Sequence, residues 1–289
     1  MFNQSPGMKK AILLITFIVY IFSATAQPRQ IRKIDGSSIF TARVDELMKK
    51  LMDTAEVTGV CIGIINNNQP VYVKTYGYKD KEKGQLLDTA TVFYAASFSK
   101  SVFAFVVMHL VEEGKLDLDK PLYQYLPKPI PDYDNYKDLA GDDRWKLITA
   151  RHCLSHTTGF PNWRNLNPNG NRKLEIFFKP GERYAYSGEG LQLLQLAVEV
   201  IAGRGLEEMA KEKVFDPLGM RNTSYQWQPR FEENFALGYD VSGNPLRKYR
   251  TRPVLGAGSM ETTIADYTRF NCALLQGKGL GAKARQEML

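Results

Sequence analysis

The chain has 289 residues, of which 44% are hydrophobic and 24% charged, and its formal net charge is +7. This length and composition exclude a disordered chain and a repeat array, and leave room for one large domain or two modest ones around a real core. The basic residues are scattered apart from small groups such as Arg247, Lys248 and Arg250, with no basic helix interleaved with aromatics, so nucleic-acid binding is excluded.

Lys9 and Lys10 precede the apolar run Ala11 to Phe22, which closes on Ser23-Ala24-Thr25-Ala26. That is the pattern of a secretory signal with an A-x-A cleavage site, and the run is well short of the roughly 20 apolar residues a membrane span needs. Residues 1–26 are therefore read as a cleaved signal and 27–289 as one mature domain starting at Gln27. The protein is expected to be exported, periplasmic or secreted, with no transmembrane segment after cleavage. A start at Met8 would leave the signal intact. Cleavage removes two lysines and no acid, lowering the charge from +7 to +5. Cys61, Cys153 and Cys272 are an odd set far apart in apolar stretches, which predicts buried free thiols, with one bridge among them still open.

Along the mature chain, Phe40, Val44, Leu47, Leu51 and Met52 recur at helical spacing and predict an amphipathic helix over Phe40 to Asp53 that packs on a sheet. Val57 to Ile65 and Pro70 to Tyr78 are β-rich and joined by Asn66-Asn67-Asn68, a hairpin signal. Ser97 to Glu113 reads as a helix apolar on most faces, hence buried, and ends at Gly114. A loop rich in Pro and Asp (Leu126 to Tyr136) follows, then a short helical piece at Thr149 to Leu154 and a longer helix from Glu189 to Ala202 closed by Gly203. A second small hairpin is predicted over Ala236 to Tyr249 with Ser242-Gly243-Asn244 as its turn, before a helix from Thr263 to Leu275.

Ser97-Phe98-Ser99-Lys100 opens the buried helix, and residues three apart share a helix face, so the Ser97 hydroxyl and Lys100 amine can be neighbours. A serine hydroxyl is a weak nucleophile until a neighbouring base takes its proton, and a lysine at the start of an apolar helix can serve. The helix N-terminus adds N–H groups that favour a developing oxyanion. A four-residue pattern alone is weak, and a plain N-cap serine is its bland reading.

Its company carries the weight. Tyr94-Ala95-Ala96-Ser97-Phe98-Ser99-Lys100 is followed by Ile148-Thr149-Ala150-Arg151-His152-Cys153-Leu154-Ser155-His156-Thr157-Thr158-Gly159-Phe160-Pro161. Then come Pro180-Gly181, Tyr186-Ser187, Pro217-Leu218-Gly219-Met220 with Asn222-Thr223-Ser224, and finally Gly256-Ala257-Gly258-Ser259-Met260-Glu261-Thr262-Thr263. In order and spacing these resemble the motifs of the penicillin-recognising, β-lactamase-related serine hydrolases, from about residue 40 to the end. The family includes class C β-lactamases, DD-peptidases, esterases and some peptidases.

The resemblance implies a mixed α/β (α+β) fold of the β-lactamase/transpeptidase type. In it an antiparallel sheet is flanked by helices, with a helical region over about 97–225 and the active site in the cleft between. It implies Ser97 as nucleophile, Lys100 as base and Tyr186 as proton shuttle in an acyl-enzyme cycle. The substrate would be a small molecule or peptide with an ester, amide, lactam or peptidoglycan-type carbonyl, and no metal or organic cofactor is implied. The Ser97 N–H would be one oxyanion donor.

Two departures stand out. The family tyrosine motif is usually Tyr-x-Asn, whereas Gly188 holds the asparagine position here, with Glu189 next door as a conceivable polar contact. The third motif, a Lys or His followed by Ser/Thr and Gly on a late strand, is not found, and the family's last three sheet strands would follow Leu289. A truncated chain with an open sheet edge is the expectation. The rival reading is therefore a catalytically inactive exported binding module or a non-functional fragment. His152 and His156 have zinc-like spacing, but no acid lies between them and no third ligand is evident, so they read as structural. No serine sits in a G-x-S-x-G elbow, which sets aside a Ser-His-Asp triad.

Overall fold

The computed structural model describes residues 30–289, and the signal read at 1–26 lies outside them. The described chain opens on a short antiparallel pair, β1 (Gln30–Arg32) and β2 (Ser38–Phe40), which places Ile31 opposite Ile39. Helix α1 (Thr41–Ala55) follows within two residues of its expected bounds. It lays Val44 against Ile31 and Tyr72, while Leu47 and Leu51 of the same stripe stay exposed.

The expected hairpin is β3 (Gly59–Asn66) and β4 (Gln69–Asp80), antiparallel. Its turn residues Asn67 and Asn68 have φ of 50° and 60°. Two consecutive left-handed residues twist a hairpin the way its strands twist, and asparagine tolerates that conformation better than other L-residues, so the pair defines the turn. β5 (Gln85–Leu86) pairs with the other edge of β4, giving the order β3-β4-β5, and among the described residues β3 pairs with β4 alone. β6 (Phe93–Tyr94) pairs instead with β7 (Glu261–Thr262), bringing the segment before Ser97 beside a late part of the chain.

A 3-10 turn, Ala96–Phe98, leads into α2 (Ser99–Glu112). Val102, Phe103, Phe105, Val106, Val107, Met108 and Leu110 of α2 are all buried, so it forms the axis of the main core, as its apolar character predicts. Each such side chain contributes about 1.5–3 kcal/mol on burial. Around it lie α3 (Ala150–Leu154), α4 (Gly188–Ala202) and α5 (Leu206–Ala210), the last running through a π-helical turn (Lys211–Phe215) into α6 (Asp216–Leu218). α7 (Ile264–Leu275) crosses β3 and β4, and α8 (Ala282–Met288) packs on α2. No helix of the described residues is long and apolar enough to cross a membrane. The three cysteines are unbridged, with Cys153 and Cys272 buried and Cys61 half-buried.

The hairpin predicted over Ala236 to Tyr249 does not form a ladder. One bridge joins Tyr239 to Pro245, and the Asp240 carboxylate accepts the N–H groups of Ser242 and Asn244, making a side-chain-held loop. Pro245 has no N–H to extend the pairing, and Val241, Leu246 and Tyr249 are exposed, so no apolar face anchors strands here.

That loop is tied down by Lys248, whose ammonium lies 2.7 Å from Glu261 on β7 with both side chains buried. Burial pushes the Glu261 carboxyl up and the Lys248 amine down, each against the pull of its partner. Lys248→Met is expected to destabilise the fold by about 3 kcal/mol at pH 8, because a buried carboxylate is left without its cation. Above the ordinary carboxyl pKa the unfolded chain releases a proton that buried Glu261 retains, so the loss grows as pH rises and shrinks toward pH 5. Urea unfolding at the two pH values checks both the size and the sign.

Candidate active site

Ser97 stands exposed in the 3-10 turn before α2, and Ala96 just ahead of it has φ of 45°. A non-glycine residue held there costs of order 1–3 kcal/mol, so something must fix it. Ser99 does so: its Oγ donates to the Ala96 carbonyl at 2.5 Å and accepts the Met260 N–H at 3.0 Å, while the Ala95 N–H donates to the Met260 carbonyl at 2.8 Å.

One turn further on, Lys100 donates from Nζ to Ser97 Oγ at 3.1 Å and also to the Ala257 carbonyl. The Tyr186 hydroxyl donates to the same Ser97 Oγ at 2.8 Å, and the Lys100 Nζ lies 4.9 Å from the centre of the Tyr186 ring. The structure thus brings Ser97, Lys100 and Tyr186 together around one oxygen, although Tyr186 comes from the segment just before α4. Burial acts to raise the Tyr186 phenol, but the hydrogen bonds with Lys100 and Ser97 and the Lys100 charge outweigh it, and the net shift is downward. A phenol that ionises more readily can take a proton from the serine and return it.

The motif residues Gly256, Ala257, Ser259 and His156 hold this arrangement together with Gln195 and Tyr225, which sequence reasoning did not single out. The Ala257 carbonyl is aimed at Lys100 by a braced loop: the Gly256 N–H donates to Gln195 Oε1 at 2.8 Å, and Ser259 Oγ accepts the Leu255 N–H and donates to the Tyr225 carbonyl, both at 2.9 Å. The Tyr225 hydroxyl closes the circuit on the Ser99 carbonyl at 2.7 Å. His156 packs on Tyr186 with ring centres 4.4 Å apart, and its Nδ1 accepts the Ser187 N–H at 3.1 Å. Burial and the Lys100 charge hold its pKa down, which keeps that nitrogen free to accept. His152 Nδ1 accepts the Thr149 N–H at 3.3 Å and completes a capping box on α3. His152 and His156 therefore each accept a backbone N–H, which accounts for their place in the structure.

Gly188 opens α4 directly after its N-cap Ser187. A Cβ built there would fall 2.5 Å from Cη2 and 2.7 Å from Cζ2 and Cζ3 of Trp163, so the indole occupies the space of any side chain at this position. Gly188→Ala is expected to cost about 1–3 kcal/mol through overpacking, and the cost should largely vanish in a Trp163→Ala background. Thermal unfolding of the four proteins of that cycle measures it. Glu189 does not reach the cleft: it is buried and accepts from the Arg164 N–H, Nε and Nη2 at 2.9, 3.1 and 2.8 Å.

A third expectation concerns Tyr186. Tyr186→Phe should lower kcat/KM about a hundredfold and remove the rise with pH that the lowered phenol contributes below its ordinary value of about 10. A pH–rate profile of the variant tests this.

The family profile described as Beta-lactamase matches residues 44–289. Among curated relatives, esterase EstB of Burkholderia gladioli is 27% identical over 240 residues, covering 74% of this chain and 58% of its own. Protein flp of Staphylococcus aureus strain N315 is 23% identical over 215 residues, covering 70% of this chain and 42% of its own. The chain thus spans about half the length of these relatives. Among solved structures, D-alanine carboxypeptidase AmpC from Burkholderia cenocepacia superposes with a TM-score of 0.69 at 24% identity, covering 86% of this chain and 68% of that one. The octameric penicillin-binding protein homologue from Pyrococcus abyssi gives 0.68 at 22%, covering 86% and 59%. These likenesses show the fold to be of the β-lactamase/transpeptidase type, a mixture of helices and antiparallel sheet.

Proposed function

The chain belongs to the Beta-lactamase family, and from that premise we propose that it is a serine hydrolase working through an acyl-enzyme, with Ser97 as nucleophile, Lys100 as base and Tyr186 as proton shuttle. The observation that carries this reading is the convergence of the Lys100 amino group and the Tyr186 hydroxyl on Ser97 Oγ, at 3.1 and 2.8 Å.

In the proposed cycle the Lys100–Tyr186 pair has first released one proton to solvent, and Ser97 Oγ bonds to the substrate carbonyl carbon as its own proton passes to Lys100, directly or through Tyr186. The Ser97 N–H is one donor to the resulting oxyanion. Collapse breaks the bond to the leaving group, which takes the proton from Tyr186 and departs. Water then attacks the acyl ester, gives its proton to the same relay, and releases the acid with Ser97 restored. Three side chains and water supply every atom moved, so no metal or organic cofactor is called for.

The substrate is proposed to carry an ester, amide or β-lactam carbonyl, in keeping with relatives named an esterase and a D-alanine carboxypeptidase. Export to the periplasm or medium belongs to the same proposal, and the intact mass of the purified product reads it directly as a chain beginning at Gln27. The rival, an inactive binding module, is favoured by one feature, the glycine at position 188. Incubating the full-length gene product with p-nitrophenyl acetate and with a penicillin separates them. Turnover of either supports the hydrolase, whereas a folded protein that turns over neither sinks it and leaves the binding module.

A further inference from the structure

Gly188 and Trp163 form a matched pair whose location gives it a functional meaning. Gly188 lies two residues beyond Tyr186, and the outer edge of the Trp163 six-membered ring fills the volume a side chain at 188 would occupy. The ring is fixed from both sides. Asn162 before it accepts the Gly188 N–H through both its carbonyl, at 2.9 Å, and its Oδ1, at 3.1 Å, and accepts the Glu189 N–H at 3.1 Å. Arg164 after it is held by the buried Glu189 carboxylate through three hydrogen bonds. Trp163 itself is half-buried and packs against the main core, so part of a rigid aromatic surface remains open.

We propose that Trp163 is the specificity-determining residue of this site, an apolar wall that selects substrates whose acyl group is aryl or bulky alkyl. This rests on the reading of Ser97 as nucleophile. Position along Tyr186 decides which half of the substrate meets the wall. The leaving group must approach the hydroxyl end, which hands it a proton; Gly188 follows Tyr186 by two residues of main chain and carries the indole against it, and that end is assigned here to the acyl half. A fixed indole offers a flat apolar face and rewards shape and apolar area, with ring-to-ring contact favoured for an aromatic acyl group. An acyl group relying on a side-chain amide at 188 finds none, because no side chain fits there.

The test compares p-nitrophenyl phenylacetate with p-nitrophenyl acetate, which share a leaving group, on the full-length gene product. The expected result is a kcat/KM ratio of about tenfold in favour of the phenylacetyl ester, falling toward unity in Trp163→Ala. Trp163→Phe, which keeps an aromatic edge and less disturbs the packing, should retain most of the preference and guards against a misfolded alanine variant. An unchanged ratio in folded Trp163→Ala overturns the proposal.

A second arm needs no turnover. Phenylacetamide should quench the tryptophan fluorescence of the Ser97→Ala protein and fail to do so in Ser97→Ala/Trp163→Phe. Absence of quenching in the first overturns the role of Trp163 and leaves the nucleophile reading standing. Quenching in a protein whose parent hydrolyses neither ester overturns the nucleophile reading, and retains Trp163 as the recognition wall of a binding site.

Discussion

Ser97→Ala is expected to lower ester turnover by about a millionfold, the scale on which removal of a catalytic nucleophile acts. The fold should not notice. Ser97 is exposed, and its Oγ serves only as acceptor for Lys100 and Tyr186, both of which can turn to water when it is lost. Lys100 also keeps its bond to the Ala257 carbonyl. Circular dichroism and thermal unfolding of the variant should therefore overlay on the parent while the rate collapses. A variant that retains even a hundredth of the parental rate with the same fold would place the nucleophile elsewhere.

Lys100→Met is expected to cost about a thousandfold to ten-thousandfold, at the upper end of what a general base contributes. Methionine keeps the unbranched stem and most of its volume, so the loss reports the ammonium group. Two further effects give the substitution a signature. Lys100 is a principal cause of the lowered Tyr186 phenol, so its removal should move that ionisation back up and shift the remaining activity to higher pH. The Lys100 charge also helps to hold down the His156 pKa, so His156 should titrate at higher pH in the variant, visible by NMR of its ring protons. A rate loss without either shift would mean that the substitution damaged the site in some other way.

Much of the scaffold was legible because its signals are local. Asn67 and Asn68 take the left-handed angles a tight hairpin needs, Ser187 and Thr263 accept the N–H groups that start α4 and α7, and Gly203 ends α4 in a left-handed conformation. The apolar run behind Ser97 predicted a central helix, and α2 is that helix. Ser97 and Lys100 were legible as a pair for the same reason, since they stand three positions apart across the start of α2. Tyr186 was reached through the resemblance alone, because nothing local indicates that a tyrosine in Tyr184-Ala185-Tyr186 meets a serine at the start of α2.

What stayed hidden is what depends on distant packing. The left-handed Ala96 carries no mark in the sequence, and its stabilisation comes from Ser99 and Met260 acting across β6 and β7. The Lys248–Glu261 pair joins a loop to a strand and could have been read only as two surface charges. The hairpin expected around Ser242-Gly243-Asn244 had a turn signal but no buried face to make it a ladder. Gly188 read as a missing amide, whereas the structure shows why glycine is needed there, with Trp163 filling the space from a different part of the chain. Glu189, which looked available beside it, is spent on Arg164.

The central claim is that Ser97 forms a covalent acyl-enzyme, and the most direct measurement is intact-mass spectrometry of the full-length gene product after incubation with a fluorophosphonate, followed by peptide mapping. The account predicts one adduct per chain, mapped to Ser97, absent from Ser97→Ala and formed far more slowly by Lys100→Met. An adduct on another residue, or none on the folded protein, would contradict it.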